Sequence, residues 1–383
     1  MATFFNFLAK MFKKAPPEKK EPETLPTKKS HKPFKLADFE ILNTLGKGTF
    51  GRVRLVKTFG GESTLYALKA MKKNEIMRHK QFDHIFSEVT LLNIFNNPFI
   101  VNMVSHFQDE NRLYVLLEFI SGGELFRLLR KNEKFTNPQA MFYAAEITLA
   151  LSYLHSMKIM YRDLKPENVL LETSGHIKLV DFGLAKVITD RTFTLCGTAE
   201  YLAPEMIENK GHGLGVDWWA LGILVYEMLH GRPPFHAHTP FEVYKLICHK
   251  PKPKIAYNPD CDVKATALIG KLLNPDRRKR LGCGTGGVKD VKKDKWFGGI
   301  DWENVANRQI EVPFLPKKPT VAATDTRDND NDDDNDNDNY NDSDSGMVEA
   351  ITVNFDDYPD SDEDVAIPLN GKERELFSKF NNI

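Results

Sequence analysis

Moving a phosphoryl group needs little covalent help: a protein must grip phosphates, hold a divalent cation, present an acceptor hydroxyl and spread the transition-state charge. Residues suited to each task occur in order along this 383-residue chain. The first set is Gly46-Lys47-Gly48-Thr49-Phe50-Gly51, directly after the apolar run ILNTL. Glycines there let backbone N–H groups come close to phosphate oxygens. Alone, such a loop equally marks a tight hairpin or a dinucleotide fingerprint. The segment after it, RVRLVKT, has strand rather than helix character, which disfavours the dinucleotide fold. Next comes Lys69, in Tyr66-Ala67-Leu68-Lys69, on a predicted strand where an ammonium would pair with phosphates and with a helical carboxylate. Glu88, in FSEVTLL, is the matching carboxylate. The strongest signal is Tyr161-Arg162-Asp163-Leu164-Lys165-Pro166-Glu167-Asn168, then Asp181-Phe182-Gly183, then Ala203-Pro204-Glu205, an order and spacing that chance hardly produces. On this pattern Asp163 accepts or orients the proton of the acceptor hydroxyl, and Lys165 steadies the γ-phosphate of ATP. Asn168 and Asp181 hold two Mg2+ ions.

These residues need elements to hold them. From Phe39 to about Glu118 the runs ILNTLG, RVRLVKT, LYALKAM and LYVLLEF predict a small sheet, interrupted by one helix around Phe86 to Phe95. Beyond Gly123 the segments AMFYAAEITLALSYLHS and VDWWALGILVYEMLHG predict a larger helical core. The fold class is therefore α+β and bilobal, with an N-lobe at about 39–118 and a C-lobe at about 122–297. Residues 1–38 read as a short amphipathic helix and a Pro/Lys-rich linker, and 298–383 as a tail with a disordered Asp/Asn-rich insert at about 325–345. The helix at Met1 to Lys14 either docks on the outside of the enzyme or serves as a membrane-surface helix or organelle signal. Ala2 excludes N-myristoylation.

Composition narrows the class. With 41% hydrophobic and 27% charged residues and a net charge of -1, the chain suits a globular enzyme and not a nucleic-acid binder. Cys196, Cys248, Cys261 and Cys283 lack paired spacing, which argues against a disulfide framework or zinc site and for a reducing compartment. No apolar run approaches the roughly 20 residues that cross a bilayer. A cytoplasmic setting, with the nucleus left open, is the expectation.

The catalytic loop YRDLKPEN, the segment DRTFTLCGTAEYLAPE, VDWWALG, YEM followed by GRPPF, DKWF, and the tail's NFDDYP and Phe377-Ser378-Lys379-Phe380 resemble the AGC group of serine/threonine protein kinases. Within it the chain is most similar to the catalytic subunits of cyclic-AMP-dependent protein kinase, from Phe39 to Phe314 nearly without gaps. That resemblance implies further roles. Thr194 matches an activation-loop phosphothreonine with His84, Arg162 and Lys186 as cationic partners, and Thr198 links the base to Lys165. Glu124, Glu167 and Glu227 match carboxylates that receive arginines N-terminal to the acceptor. Leu195 and Leu202 match the pocket for the residue after it, although Ala199 replaces the family's proline. For the nucleotide, Leu45, Gly46, Lys47, Gly48, Thr49, Phe50, Gly51, Val53, Ala67, Glu118, Ile120, Glu124, Leu170 and Phe355 match the adenine, ribose and phosphate contacts beside Lys69, Glu88 and Asp181.

Glu205 and Arg280 match a structural ion pair beneath the activation segment, and Phe377 and Phe380 match aromatics that fasten the Glu88 helix. The family's chain ends at that pair, whereas Asn381, Asn382 and Ile383 follow here, and Pro368 stands where a phosphorylated serine is usual. The implied partners are protein substrates with basic motifs and a cAMP-binding regulatory subunit in trans. A cyclic-GMP-dependent or other AGC kinase, and a pseudokinase scaffold, are the competing readings.

Overall fold

The short β-branched and aromatic runs of the first half pair into a single antiparallel sheet. The structure is a computed structural model that describes residues 34–59, 64–249, 254–317, 354–355 and 369–383. The expectations for the N-terminal helix, the Asp/Asn insert and Pro368 fall outside these residues. The sheet comprises β1 (Phe39–Gly48), β2 (Gly51–Thr58), β3 (Leu65–Lys72), β4 (Met103–Gln108) and β5 (Arg112–Glu118), in the spatial order β1-β2-β3-β5-β4. Gly48 faces Gly51 across the β1–β2 turn, so the glycine-rich loop is the tip of a hairpin. A Cβ on Gly51 would lie 1.8 Å from the Ala70 carbonyl oxygen, so glycine is what lets β2 run this close to β3.

Two helices connect β3 to β4, α1 (Lys73–Arg78) and α2 (Phe82–Ile94), where the sequence predicted one starting near Phe86. α1 buries only Lys73 and Ile76, so no apolar stripe announces it. α2 buries Ile85, Phe86, Val89, Leu91 and Leu92 against the sheet, and carries Glu88 on the same buried surface.

The large lobe holds α3 (Leu125–Asn132), α4 (Asn137–Ser156), α5 (Pro204–Ile207), α6 (Gly215–His230), α7 (Pro240–Ile247), α8 (Val263–Leu272), α9 (Val288–Lys292) and α10 (Trp302–Ala306). Two small ribbons pair β6 (Ile159–Met160) with β9 (Lys186–Val187), and β7 (Val169–Leu171) with β8 (Ile177–Leu179). A capping box opens α4, with the Thr136 hydroxyl accepting from the Gln139 N–H and the Gln139 side chain returning to the Thr136 backbone. Fourteen of the sixteen residues of α6 are buried, the all-round pattern of a helix at the centre of a core. The tail returns to the small lobe as α11 (Gly371–Ser378), with Phe377 and Phe380 buried. Among the described residues no helix is long and apolar enough to cross a membrane.

Candidate active site

The loop between β6 and β7 carries Asp163, Lys165 and Asn168, and its shape is imposed from beneath. Asp217, fully buried on α6, accepts hydrogen bonds from the Tyr161 N–H (3.0 Å) and the Arg162 N–H (2.9 Å), and meets His155 Nε2 at 2.7 Å. Arg162 is thereby held at φ 68°, a left-handed conformation that costs a non-glycine residue on the order of 1–3 kcal/mol. The Tyr161 hydroxyl donates to the Val180 carbonyl, which ties the loop to the segment leading into Asp181.

Above this floor the reactive groups gather. Asn168 Nδ2 donates to Asp163 Oδ2 at 2.7 Å and to the Asp163 carbonyl at 2.8 Å, which fixes the carboxylate's orientation. Lys165 Nζ sits 3.1 Å from Asp163 Oδ2 and 3.4 Å from Thr198 Oγ1, so Asp163, Lys165 and Thr198 form one chain of polar contacts. Gly197, at φ 106°, lets that threonine approach, because a Cβ there would stand 2.9 Å from the Arg162 carbonyl oxygen.

Across the cleft, Lys69 Nζ donates to Glu88 Oε1 at 2.7 Å and lies 4.0 Å from Asp181 Oδ1. Burial alone would lower the Lys69 ammonium, but Glu88 and Asp181 outweigh it and hold it well above the ordinary lysine range. Lys69 in turn holds the Asp181 carboxyl below the usual range against its burial, with the Gly183 N–H assisting at 3.1 Å. Phe182 anchors Asp181 from behind, fully buried between Phe95 (4.9 Å) and Tyr161 (5.2 Å).

Gly48, Thr49, Phe50, Gly51, Val53, Lys69, Glu88, Asp163 and Asp181 thus line a single cavity of about 300 Å3. Asp181 offers a hard oxygen donor to it, and Asn168 is bound to the Asp163 that also lines it. Among the described residues no group of three or more His, Cys, Asp or Glu could cage a metal unaided. That donor set suits Mg2+, which binds through one or two carboxylates and shares its remaining positions with phosphates and water.

The residues expected to contact adenine lie near the junction of the lobes. Ala67 sits on β3 beside Leu117, Glu124 bridges to Leu170, and Ile120 is buried. Phe355 of the tail stacks on Phe119 at 5.8 Å, while Asn354 Nδ2 donates to the Ser121 carbonyl at 2.8 Å. Leu45 and Lys47 lie on β1, either side of Gly46.

Residues 39–297 match the family described as protein kinase domain. The chain belongs to the protein kinase family. It is 44% identical over 347 residues to the human cAMP-dependent protein kinase catalytic subunit PRKX, covering 91% of this chain and 88% of that protein. Against the cAMP-dependent protein kinase catalytic subunit of Dictyostelium discoideum it is 49% identical over 283 residues, 74% of this chain and 43% of the other. Against cAMP-dependent protein kinase type 3 of Saccharomyces cerevisiae it is 46% identical over 283 residues, 74% and 70% of the two chains. This protein kinase is a serine/threonine enzyme of the kind those catalytic subunits represent, and its family uses ATP with magnesium.

The three carboxylates expected to receive substrate arginines differ in their surroundings. Glu227, 2% exposed, is already engaged: Arg130 Nη2 donates to its Oε1 at 2.7 Å and the Tyr201 hydroxyl donates to its Oε2. Glu167 differs, because its Oε2 is buried and no hydrogen bond reaches it. Glu124 lines a second pocket with Arg127 and Lys131. Leu195 is half exposed and Leu202 buried.

In the activation segment Thr194 is exposed and makes no hydrogen bond to His84, Arg162 or Lys186. Lys186 Nζ instead donates to Thr192 Oγ1 at 2.9 Å, and His84 sits at the α2 edge of the nucleotide cleft. Arg162 Nε donates to the Leu184 carbonyl at 2.7 Å, while its Nη1 is buried without a partner. Sequence reasoning missed Asp217 as the support of the catalytic loop. The motif VDWWALG contained it, but nothing local shows that its carboxylate reaches residues 55 positions away.

Proposed function

We propose that this kinase transfers the γ-phosphate of ATP to Ser or Thr hydroxyls that have arginines on their N-terminal side. The observation that supports the reading is that Asp163, tied to Asn168 and Lys165 and through Lys165 to Thr198, lines the same cavity as the Lys69–Glu88–Asp181 set. In this reading Asp163 orients the acceptor hydroxyl and takes its proton, and Lys165 attends the transferred group. Lys69, kept cationic and steered by Glu88, grips the α- and β-phosphates. The glycine loop from Leu45 to Gly51 covers the phosphates, while Val53, Ala67, Glu118, Ile120, Leu170 and Phe355 enclose adenine. Asp181 and Asn168 would hold two Mg2+ ions, which neutralise charge on the β- and γ-oxygens. Glu124 and Glu167 would receive substrate arginines in bidentate fashion. Glu227 would share its carboxylate between Arg130 and the substrate.

Phosphate on Thr194 would answer the partnerless Arg162 Nη1, with Lys186 and His84 adding charge. A regulatory subunit that binds cAMP and presents a basic inhibitory segment to the same carboxylates is the proposed partner, by analogy with the relatives' names. A cytoplasmic or nuclear setting fits the four free cysteines. The complete set of charged residues disfavours a scaffold without activity.

The test is magnesium-dependent transfer from ATP to a peptide containing Arg-Arg-x-Ser. Asp163→Ala should cost roughly 10²–10⁴-fold, the ordinary share of general base catalysis, and a peptide without the arginines should be poorly used. Transfer indifferent to the arginines would remove the basic preference and leave the kinase.

A further inference from the structure

Lys178, on β8, is a charged residue buried where the two lobes join, at 7% exposure. A buried ammonium persists only where acceptors surround it. Its Nζ donates to Glu118 Oε1 at 2.7 Å and to the Ile100 carbonyl at 3.5 Å, and stands 3.6 Å from Glu172 Oε1. Glu118 is the last residue of β5, so the 2.7 Å contact crosses from the large lobe to the small one. Both ends of this bridge are held. On the small-lobe side Glu118 Oε1 also accepts from the Asn102 N–H at 2.7 Å, and the Glu118 N–H donates to the Asn102 carbonyl at 3.0 Å. On the large-lobe side the other oxygen of Glu172 accepts from the Ser174 hydroxyl at 2.9 Å and from Arg308 Nη2.

Strand register puts the bridge beside the nucleotide cleft. Lys178 is the cross-strand partner of Leu170 in the β7–β8 ribbon, and directly opposed residues of an antiparallel pair project from one face. Leu170 bridges to Glu124, and the Gly122 N–H donates to the Leu171 carbonyl at 2.9 Å, so β7 runs along the chain that leaves Glu118. The residue expected under adenine and the ammonium that grips Glu118 therefore rise from paired positions of one ribbon. Apolar packing between the lobes is non-directional, whereas a charge-assisted hydrogen bond is short and oriented. The Lys178–Glu118 contact thus sets the end of β5 against the large lobe to the fraction of an ångström that a binding site requires.

We propose that Lys178 is a positioning residue for adenine, acting through Glu118, whose main chain it holds against the large lobe; this rests on the reading of Glu118, Ile120 and Leu170 as adenine contacts. Arg308, after α10, then steadies the same bridge from behind through Glu172.

The experiment uses the full chain with Lys178→Met, Lys178→Arg, Glu118→Ala and the double variant Lys178→Met with Glu118→Ala. Two inhibitors report the two ends of the nucleotide site: adenosine, which lacks phosphate, and inorganic tripolyphosphate, which lacks the base. Lys178→Met should weaken adenosine inhibition and raise KM for ATP by at least about fivefold, the lower end of ordinary coupling between sites. Tripolyphosphate inhibition, KM for the peptide and kcat at saturating ATP should hold. Lys178→Arg keeps a cation and should stay near the parent, and the double variant should be no worse than Lys178→Met, since both residues act through one contact. Should Lys178→Met not fold, Glu118→Ala, at a side chain 31% exposed, gives the same reading. Adenosine inhibition equal to the parent's, equal losses for adenosine and tripolyphosphate, or a loss of thermal stability alone overturns the proposal. Ala67→Leu, which adds bulk on the expected adenine face of β3, separates the two levels. Unchanged adenosine inhibition in that variant sinks the adenine reading, whereas impaired inhibition there beside parent behaviour in Lys178→Met sinks the lysine's role alone.

Discussion

Asp217 touches no reacting atom, yet its two oxygens take the backbone N–H groups of Tyr161 and Arg162 and hold Asp163 in its working position. Replacing it leaves two buried donors unsatisfied, at about 1–3 kcal/mol each. Asp217→Ala should therefore lower stability by at least about 2 kcal/mol and depress kcat more than KM for ATP, while Asp217→Asn, which keeps one acceptor, should fall between. Denaturant titration with steady-state kinetics checks this, and a kcat equal to the parent's would mean that the loop holds its own shape. At this scale the sequence was informative about residue type and poor about partners. The Asp163, Asn168 and Lys165 cluster lies within six positions and was legible, whereas the commitment of Glu227 to Arg130, 97 positions away, was not.

The activation segment is the element with most still to give. Thr192 and His212 exchange both backbone hydrogen bonds, at 3.0 and 2.9 Å, and stitch the segment to the loop before α6. The His212 ring is 1% exposed, and its Nε2 has no partner. Burial, reinforced by the positive charges of Arg162 and Lys186, pushes the imidazole down from 6.5 to about 4. Because the unfolded chain binds the proton first as pH falls, the stability this group confers is complete above pH 6.5 and is lost progressively towards pH 4. At about 1.4 kcal/mol per pH unit the effect is worth roughly 3 kcal/mol. The melting temperature should drop through that window, and His212→Phe should flatten the drop. An equal slope in the variant would exonerate the histidine. Among the helices, α4 and α6 were evident from long apolar runs, while α1 was not, because six residues with one buried apolar side chain carry no periodic signal.

Across the whole molecule, the Glu205–Arg280 pair joins the end of the activation segment to the loop after α8. Arg280 donates twice to the carboxylate, at 2.7 and 2.8 Å, and further to the Gly215 and Asn274 carbonyls, with Trp219 beneath it at 5.1 Å. Arg280→Ala strands a buried carboxylate and should cost about 3–5 kcal/mol, while the double replacement Glu205→Leu with Arg280→Met should recover much of that loss. Equal destabilisation by both would point to lost packing rather than an unpaired charge. What the sequence determined alone was local: a glycine hairpin that can approach phosphates, a loop carrying aspartate, lysine and asparagine in fixed order, and apolar periods that separate a sheet-rich lobe from a helical one. These follow from backbone conformation and spacing within a few residues. Only tertiary structure decided that Arg130 engages Glu227, that Asp217 supports the loop carrying Asp163, and that Asn93 reaches Ile383 from 290 positions away. Directional side-chain bonds depend on register and packing angle to within fractions of an ångström, and no local pattern of residue types encodes those.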